Sequence, residues 1–578
     1  MRLKLLLAAT ILTACTGRGQ TLESRLYRLA NRFVDQQLQY DPTLSYSTGI
    51  PVTDQSRFAD RSSQAIERQV AEERVDLREV LALNASILTP RARATYATLR
   101  EQLESDLQMR VCRTELWDVN HFDGWQLHFV EIAEHQPVLT ARDKEEAIRR
   151  WSSVPQYVDV EIANLRRGLA NGYSAPQSVV RRVIQQVTDM TAVEPEKSPL
   201  FSPAARSTDP ALRKTFRRLL VERINPALRK YAAYLEQEYL ANAREGVAIS
   251  DLPNGKACYA AFLRANTTLS LTPEEMFRLG EEMVAANLSE VRKLGEQSYH
   301  TPDPAAILSA IKSKPEEHFK SRDDLLSFSQ DLLGKAKSIT ASTLIPAMPK
   351  QDVMLRPLST LEEAAGVGSR FQQEPDPTKP AVYLIKLGDW ATQTRAEAEI
   401  TAVHETAPGH YLQKALAVEL QKPTRLSQFV DNAAYSEGWA RYAEAMSEEA
   451  GIYDTEDASI LRRMWPARGM VVDPGLHVLH WTRQQAIDFM MASGRFTVEQ
   501  ANDYVDRMAV MPGQLTAYDS GAHEIFKLRE EAKSRLGKRF DLRLFNRAVL
   551  EEGIVPLGEL RTHIFEWIAV QQMEKSAL

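Results

Sequence analysis

The chain predicts a mainly α fold, a large multi-helix body with one small antiparallel β-sheet immediately before the helix that carries His404. Three observations carry that prediction. Apolar residues recur at three- and four-residue intervals among charged positions over most of the length. Clusters of Pro, Gly and Ser punctuate these stretches as interhelical loops do. Only one segment, about 351–389, changes to short β-branched and aromatic runs. A 44% hydrophobic content over 578 residues is enough to bury a large core, in one helical body or in three or four domains.

Residues 1–14 read as a lipoprotein signal peptide. Met1-Arg2-Leu3-Lys4 is a short basic segment, 5–12 a short apolar core, and Leu12-Thr13-Ala14-Cys15 ends as a bacterial lipoprotein cleavage box does. Cys15 is then the lipidated first residue, and 15–21 a flexible tether. The apolar run is too short to span a bilayer, so the membrane is met through the lipid alone. The expected location is the bacterial cell envelope, lipid-anchored and facing the periplasm, or the extracellular face where no outer membrane exists.

An N-terminal helical half is expected over 22–345. Leu26, Leu29 and Phe33, and then Ile66, Val70, Val75, Leu77, Val80 and Leu81, mark its first helices. Further amphipathic helices are expected at 92–107, 142–169, 210–243, 273–294 and 325–338, with loops at 194–199 and 301–304. The second half, 346–578, opens with the small sheet, built from 353–358 and 381–387. Helices follow at 427–450, 459–486, 497–508, 521–536, 541–551 and 557–571. The two halves are expected to form one intertwined body. Cys112 and Cys258 either pair or remain two buried thiols. The balance of 71 Lys+Arg against 77 Asp+Glu, without long runs, excludes a nucleic-acid protein and a polybasic membrane surface.

The chemistry centres on His404-Glu405-Thr406-Ala407-Pro408-Gly409-His410. Two neutral imidazoles and a neighbouring carboxylate are the raw material of a zinc hydrolase. In HExxH the histidines are four apart and share a helix face. Six apart, they differ by about 120° and about 9 Å along a regular helix, so a straight helix cannot use both. Pro408-Gly409 removes a backbone donor and supplies permissive dihedrals, which predicts a break that turns His410 back toward His404. The plain alternative is a helix-capping His404, a loop His410 and a solvated Glu405. A third ligand is expected from Glu437, with Glu444, two turns on, as an alternative ligand or a partner that orients a histidine.

His404-Glu405-x-x-Pro408-Gly409-His410 with Leu412-Gln413, Glu437-Gly438-Trp439-Ala440, Val472-Asp473-x-Gly475-Leu476-His477 with Trp481-x-Arg483-x-x-Ala486, and Pro512-Gly513-Gln514-x-x-x-Tyr518-x-x-Gly521 follow in that order. Together they resemble the bacterial family known as domain of unknown function 885, over most of the mature chain. That family is similar to the HExxH-type zinc metallopeptidases and is regarded as a group of candidate peptidases, many of them lipoproteins. The resemblance implies a metallopeptidase-like body and a zinc amide hydrolase with His404, His410 and Glu437 as ligands and Glu405 as base. The chain departs from the family pattern at Tyr411, Pro474 and Met508, which puts the substrate pocket in question before the metal.

Hydrolysis of an amide passes through an oxyanion, for which Tyr518, then His477, and also His480 are candidate donors. Asp473, four residues before His477, is a candidate to fix that ring's tautomer. Gln514 and Arg483 are candidate supporting or substrate-binding residues, and Arg395 and Arg468 share with Arg483 the capacity to grip a carboxylate. The turn 120–125 is a candidate wall of a cleft between the helical halves. The expected function is zinc-dependent hydrolysis of peptide bonds in small peptides, with one Zn²⁺ bound; the nitrogen and oxygen ligands also suit manganese or cobalt. The alternatives are a non-catalytic metal- or peptide-binding lipoprotein and a zinc hydrolase of a non-peptide amide or cell-wall fragment.

Overall fold

The computed structural model describes residues 2–359, 363, 368–374, 376–420 and 424–573, with side chains from residue 21 onward. It is mainly helical, with one three-stranded sheet. The first helix, Arg2–Tyr40, runs through positions 15–21, where the sequence suggested a flexible tether. The side chain of Cys15, on which the lipidation reading turns, lies outside the described residues. Among the described residues no helix is long and apolar enough to cross a membrane.

The chain divides into two compact units. One comprises residues up to 262 with 424–429 and 503–512; the other comprises 263–423, 430–502 and 513–578. The division therefore falls at 262/263, not at 345/346 as the sequence suggested. The reason is visible in helix Pro273–Tyr299. A Cβ at its Gly280 would lie 2.8–2.9 Å from Met470 and Val471, so this helix is in backbone-close contact with helix Arg468–His477.

In the first unit the core is aromatic. Phe58 stacks on Phe129 at 4.6 Å, and Trp125 meets Phe129 at 5.2 Å and Tyr231 at 4.8 Å between ring centroids. Such pairs add about 0.5–1.5 kcal/mol each beyond the area they bury. Cys112 and Cys258 form a disulfide, which answers the question the sequence left open. The turn 120–125 is tied down within this unit. Asn120 Oδ1 accepts from the backbone N–H groups of Phe122 and Asp123, both at 2.8 Å, and the Gln126 and Gln186 side chains donate to the Asn120 and His121 carbonyls.

The second unit holds the sheet: β1 (Val353–Pro357), β2 (Arg370–Gln372) and β3 (Ala381–Ile385), in the order β1-β3-β2. β1 and β3 pair in parallel and β2 pairs antiparallel with β3, so the sheet is mixed and not antiparallel. The long connection from β1 to β3 permits the parallel return that a short hairpin forbids. β2, at three residues, is too short for its alternation to register in the sequence.

The single helix expected at 459–486 is three: Glu456–Met464, Arg468–His477 and Arg483–Met491. Ala467 (φ 68°) and His480 (φ 59°) take left-handed conformations at the two breaks, and a Thr482–Gln485 capping box starts the third helix.

Candidate metal centre

Helix Arg395–Glu405 opens with a capping box, in which the Thr394 side chain accepts from Glu397 N–H and the Glu397 carboxylate accepts from Thr394 N–H. It ends at Glu405, and a new helix, His410–Glu419, starts on the second histidine. The turn between them contains a cis Ala407–Pro408 peptide and is closed by Gly409 N–H donating to Val403 O at 3.1 Å. A Cβ at position 409 would lie 2.0 Å from His404 O and 2.5 Å from Val403 O. Only glycine lets the chain fold back this closely. The two imidazoles consequently meet edge to face, with ring centroids 4.9 Å apart.

The break is also held from outside. Trp439, fully buried on helix Ala433–Glu449, donates its indole N–H to Pro408 O at 2.9 Å. That helix starts on the Asn432 cap and packs against helix Ala517–Leu536 through glycines. A Cβ at Gly438 would lie 2.5 Å from the Gly521 backbone, and one at Gly521 1.8 Å from Ala434 O. The three consecutive residues Glu437, Gly438 and Trp439 thus serve three different ends. The first turns a carboxylate toward the histidines, the second permits a close helix crossing, and the third bonds to the turn.

Glu437 Oε2 lies 3.4 Å from His404 Nε2 and 3.4 Å from His410 Nε2. One potential ligand atom from each of His404, His410 and Glu437 falls within 4.8 Å of the others. This Oε2 is buried and has no hydrogen-bond partner among the described residues, an expensive condition for a carboxylate oxygen. Zinc bonds of about 2.0–2.1 Å at tetrahedral angles put neighbouring ligand atoms about 3.3–3.4 Å apart. The two Glu437–imidazole separations therefore match those of a zinc site, and the donor types suit the ion.

His404 Nδ1 lies 2.8 Å from Glu444 Oε1, which leaves Nε2 directed at Glu437. Glu444 is buried and also accepts from Arg441 Nη1, at 2.8 Å on Oε1 and 3.0 Å on Oε2. Burial opposes charge on His404, but the neighbouring Glu437 and Glu444 carboxylates hold its pKa up at about 10. Burial likewise opposes the charge on Glu437, and His410 and His404 pull its carboxyl well below the usual range. The two carboxylates therefore favour positive charge at His404. Glu405, half-buried, accepts from Phe371 N–H of β2 through Oε2 at 2.8 Å, so the small sheet fixes this carboxylate.

The remaining sequence candidates fall into separate sets. Tyr518 connects to the centre through Arg441, whose guanidinium lies 5.8 Å from its ring, and Gln514 Nε2 lies 3.5 Å from its hydroxyl. His477 is fully buried with Nε2 3.9 Å from Asp473 Oδ1, and that oxygen accepts from Gly513 N–H at 2.9 Å. Arg483 donates to Asn502 Oδ1 and to the Asn502 carbonyl, both at 3.0 Å. Arg395 pairs with Asp324, and Arg468 donates to the carbonyls of Met464 and Phe489. These three arginines are thus engaged within the protein. Tyr411 donates to Gln351 O at 2.9 Å and is buried, an anchor for the second histidine helix.

Sequence reasoning missed three contributors. Arg441 was legible as the residue three before Glu444 on one helix, where i,i+3 neighbours meet. The Trp439 bond to the turn and the Phe371 N–H had no signal, because both depend on chain segments brought together by the fold.

Residues 42–564 match the family described as "Bacterial protein of unknown function (DUF885)". The structure resembles that of "the putative lipoprotein from Colwellia psychrerythraea", with a TM-score of 0.85 and 21% identity over 95% of this chain and 99% of that one. It also resembles "a putative lipoprotein of unknown function from Shewanella oneidensis", with a TM-score of 0.77 and 20% identity over 93% of this chain and 99% of that one. At these identities the likeness is one of fold. No curated protein matches the chain.

Proposed function

The chain belongs to the bacterial DUF885 family, and we propose that it is a zinc-dependent hydrolase of peptide bonds or other small amides, built on a metallopeptidase-like body. The observation that carries this reading is the approach of one buried, unpartnered Glu437 oxygen to two imidazole nitrogens at 3.4 Å each, with Glu405 adjacent in the chain to one of those histidines. His404, His410 and Glu437 would hold the ion. Bound there, zinc supplies Lewis acidity that polarises an amide carbonyl and makes water nucleophilic near neutral pH.

The protein's own residues do the rest. Glu444 keeps the His404 proton on Nδ1, so Nε2 offers a lone pair. Phe371 N–H holds one oxygen of Glu405 and leaves the other to take the proton from the attacking water. The same oxygen then returns that proton to the nitrogen of the leaving amine. Tyr518, whose ring lies 5.8 Å from the Arg441 guanidinium, is the first candidate to donate to the oxyanion, and His477 the second.

A location in the cell envelope is part of the proposal. It is supported by the lipoprotein-like N-terminus, by the names carried by the two structural neighbours, and by the Cys112–Cys258 disulfide, which suits an oxidising compartment. The test is zinc content and hydrolysis of a mixed peptide library by wild type and Glu405→Gln. Equal zinc with hydrolysis lost in the variant is the expected result. Full activity in the variant contradicts the role of Glu405, and a wild type that hydrolyses no peptide redirects the search to other amides.

A further inference from the structure

Behind His404 lies a charged chain that the proposed chemistry does not itself require. Glu444 holds His404 Nδ1 with one oxygen and meets Arg441 with both. Arg441, nearly enclosed, presents its Nε 3.8 Å from Asp519 Oδ1 on the neighbouring helix. Asp519 reaches this position because Gly438 and Gly521 bring helices Ala433–Glu449 and Ala517–Leu536 into backbone contact. The line His404–Glu444–Arg441–Asp519 therefore runs from the centre across two helices.

We infer that Arg441 and Asp519 are positioning residues, which act through Glu444 to hold the His404 ring with Nε2 free for the metal. The inference rests on the zinc reading above. Glu444 is a buried carboxylate 2.8 Å from His404, in a pocket that already holds Glu437 and Glu405. Arg441 Nη1 reaches both oxygens of this carboxylate, at 2.8 Å and 3.0 Å, which restrains the plane of the group and so the direction from which it meets His404 Nδ1. Asp519 restrains the opposite edge of the guanidinium from 3.8 Å, beyond hydrogen-bond length, so its share is the smaller. Tyr453, donating its hydroxyl to Glu444 O at 2.9 Å, holds the backbone of the same residue.

The test is a double-mutant cycle on zinc affinity, read by competition between the purified full chain and a chromogenic chelator. Arg441→Met and Glu444→Gln should each weaken zinc binding about 10–100-fold, the usual range for residues that support a metal ligand from behind. The double variant should lose little more than either alone, because both interrupt one path. Arg441→Lys should recover part of the loss, since it restores the charge without the second nitrogen that faces Asp519, and Asp519→Asn should lose less than Arg441→Met. Should Arg441→Met not fold, Arg441→Lys and Asp519→Asn carry the same ordering. Additive losses, or wild-type affinity in Arg441→Met, overturn the relay and leave the zinc reading intact. A wild type that binds no zinc removes both.

Discussion

The centre is assembled from a broken helix and an unbroken one, and they reach it by opposite means. In 395–419 the two histidines are six residues apart and come together only because the helix stops at Glu405 and restarts at His410. In Ala433–Glu449 nothing breaks, and Glu437, Arg441 and Glu444 lie at helical spacing along one side. The broken element concentrates its demand in one turn, where Gly409 has no room for a Cβ. The unbroken element spreads its demand over a crossing, where Gly438 meets Gly521. A break is thus set by a few backbone atoms, and a periodic face by packing along its length.

Substitutions should separate the two. The largest effect is expected at Gly409→Ala, whose Cβ would lie 2.0 Å from His404 O. Stability should fall by about 4 kcal/mol or more, read by urea unfolding, and zinc should not be retained. Second is a pH effect within the broken element. Glu399 on helix Arg395–Glu405 is fully buried, and burial pushes its pKa from the usual 4.5 up to about 7. The folded state therefore keeps a proton that the unfolded state releases, so its contribution is present below about pH 4.5 and is lost as pH rises through about 7. Glu399→Gln should flatten that slope and be the more stable protein at pH 8, by up to about 3 kcal/mol. Parallel unfolding curves for both proteins from pH 4.5 to pH 8 would contradict this.

Third, Gly438→Ala should cost about 2 kcal/mol by overpacking the crossing, with zinc weakened but still bound, because the rest of the helix face survives. Zinc loss as complete as in Gly409→Ala would erase the distinction between the two elements. Smallest is Trp439→Phe, which keeps the ring and removes the N–H that reaches Pro408 O. About 1 kcal/mol of stability should go, with little change in zinc affinity.

The same contrast explains what the sequence made legible. Helical periodicity was visible wherever an amphipathic face recurs, and the Pro408-Gly409 pair announced a break. Why position 409 must be glycine was not visible, because the obstacle is the carbonyl of His404, found only after the chain folds back. The helix expected at 459–486 failed at Ala467 and His480, residues whose types give no warning of a positive φ. The sheet was legible as two strands. Its third member and its parallel pairing were not, since three residues carry no clear alternation and strand direction depends on the path of the connection. Among candidate site residues, His404 and His410 were legible through their spacing around the Pro-Gly break, and Glu437 and Glu444 through their spacing on one helix, though the fold alone joins the two elements. His477 meets Asp473 at helical spacing, as the sequence suggested, whereas Arg483 and Asp473 also take partners, Asn502 and Gly513 N–H, that only the fold supplies.

The central claim is that His404, His410 and Glu437 together hold one metal ion. It is tested most directly by zinc titration of the purified full chain beside His410→Ala and Glu437→Ala, with bound metal counted after gel filtration. The account predicts one zinc per wild-type chain and none retained by either variant. Zinc absent from the wild type, or held equally well by the variants, would contradict it.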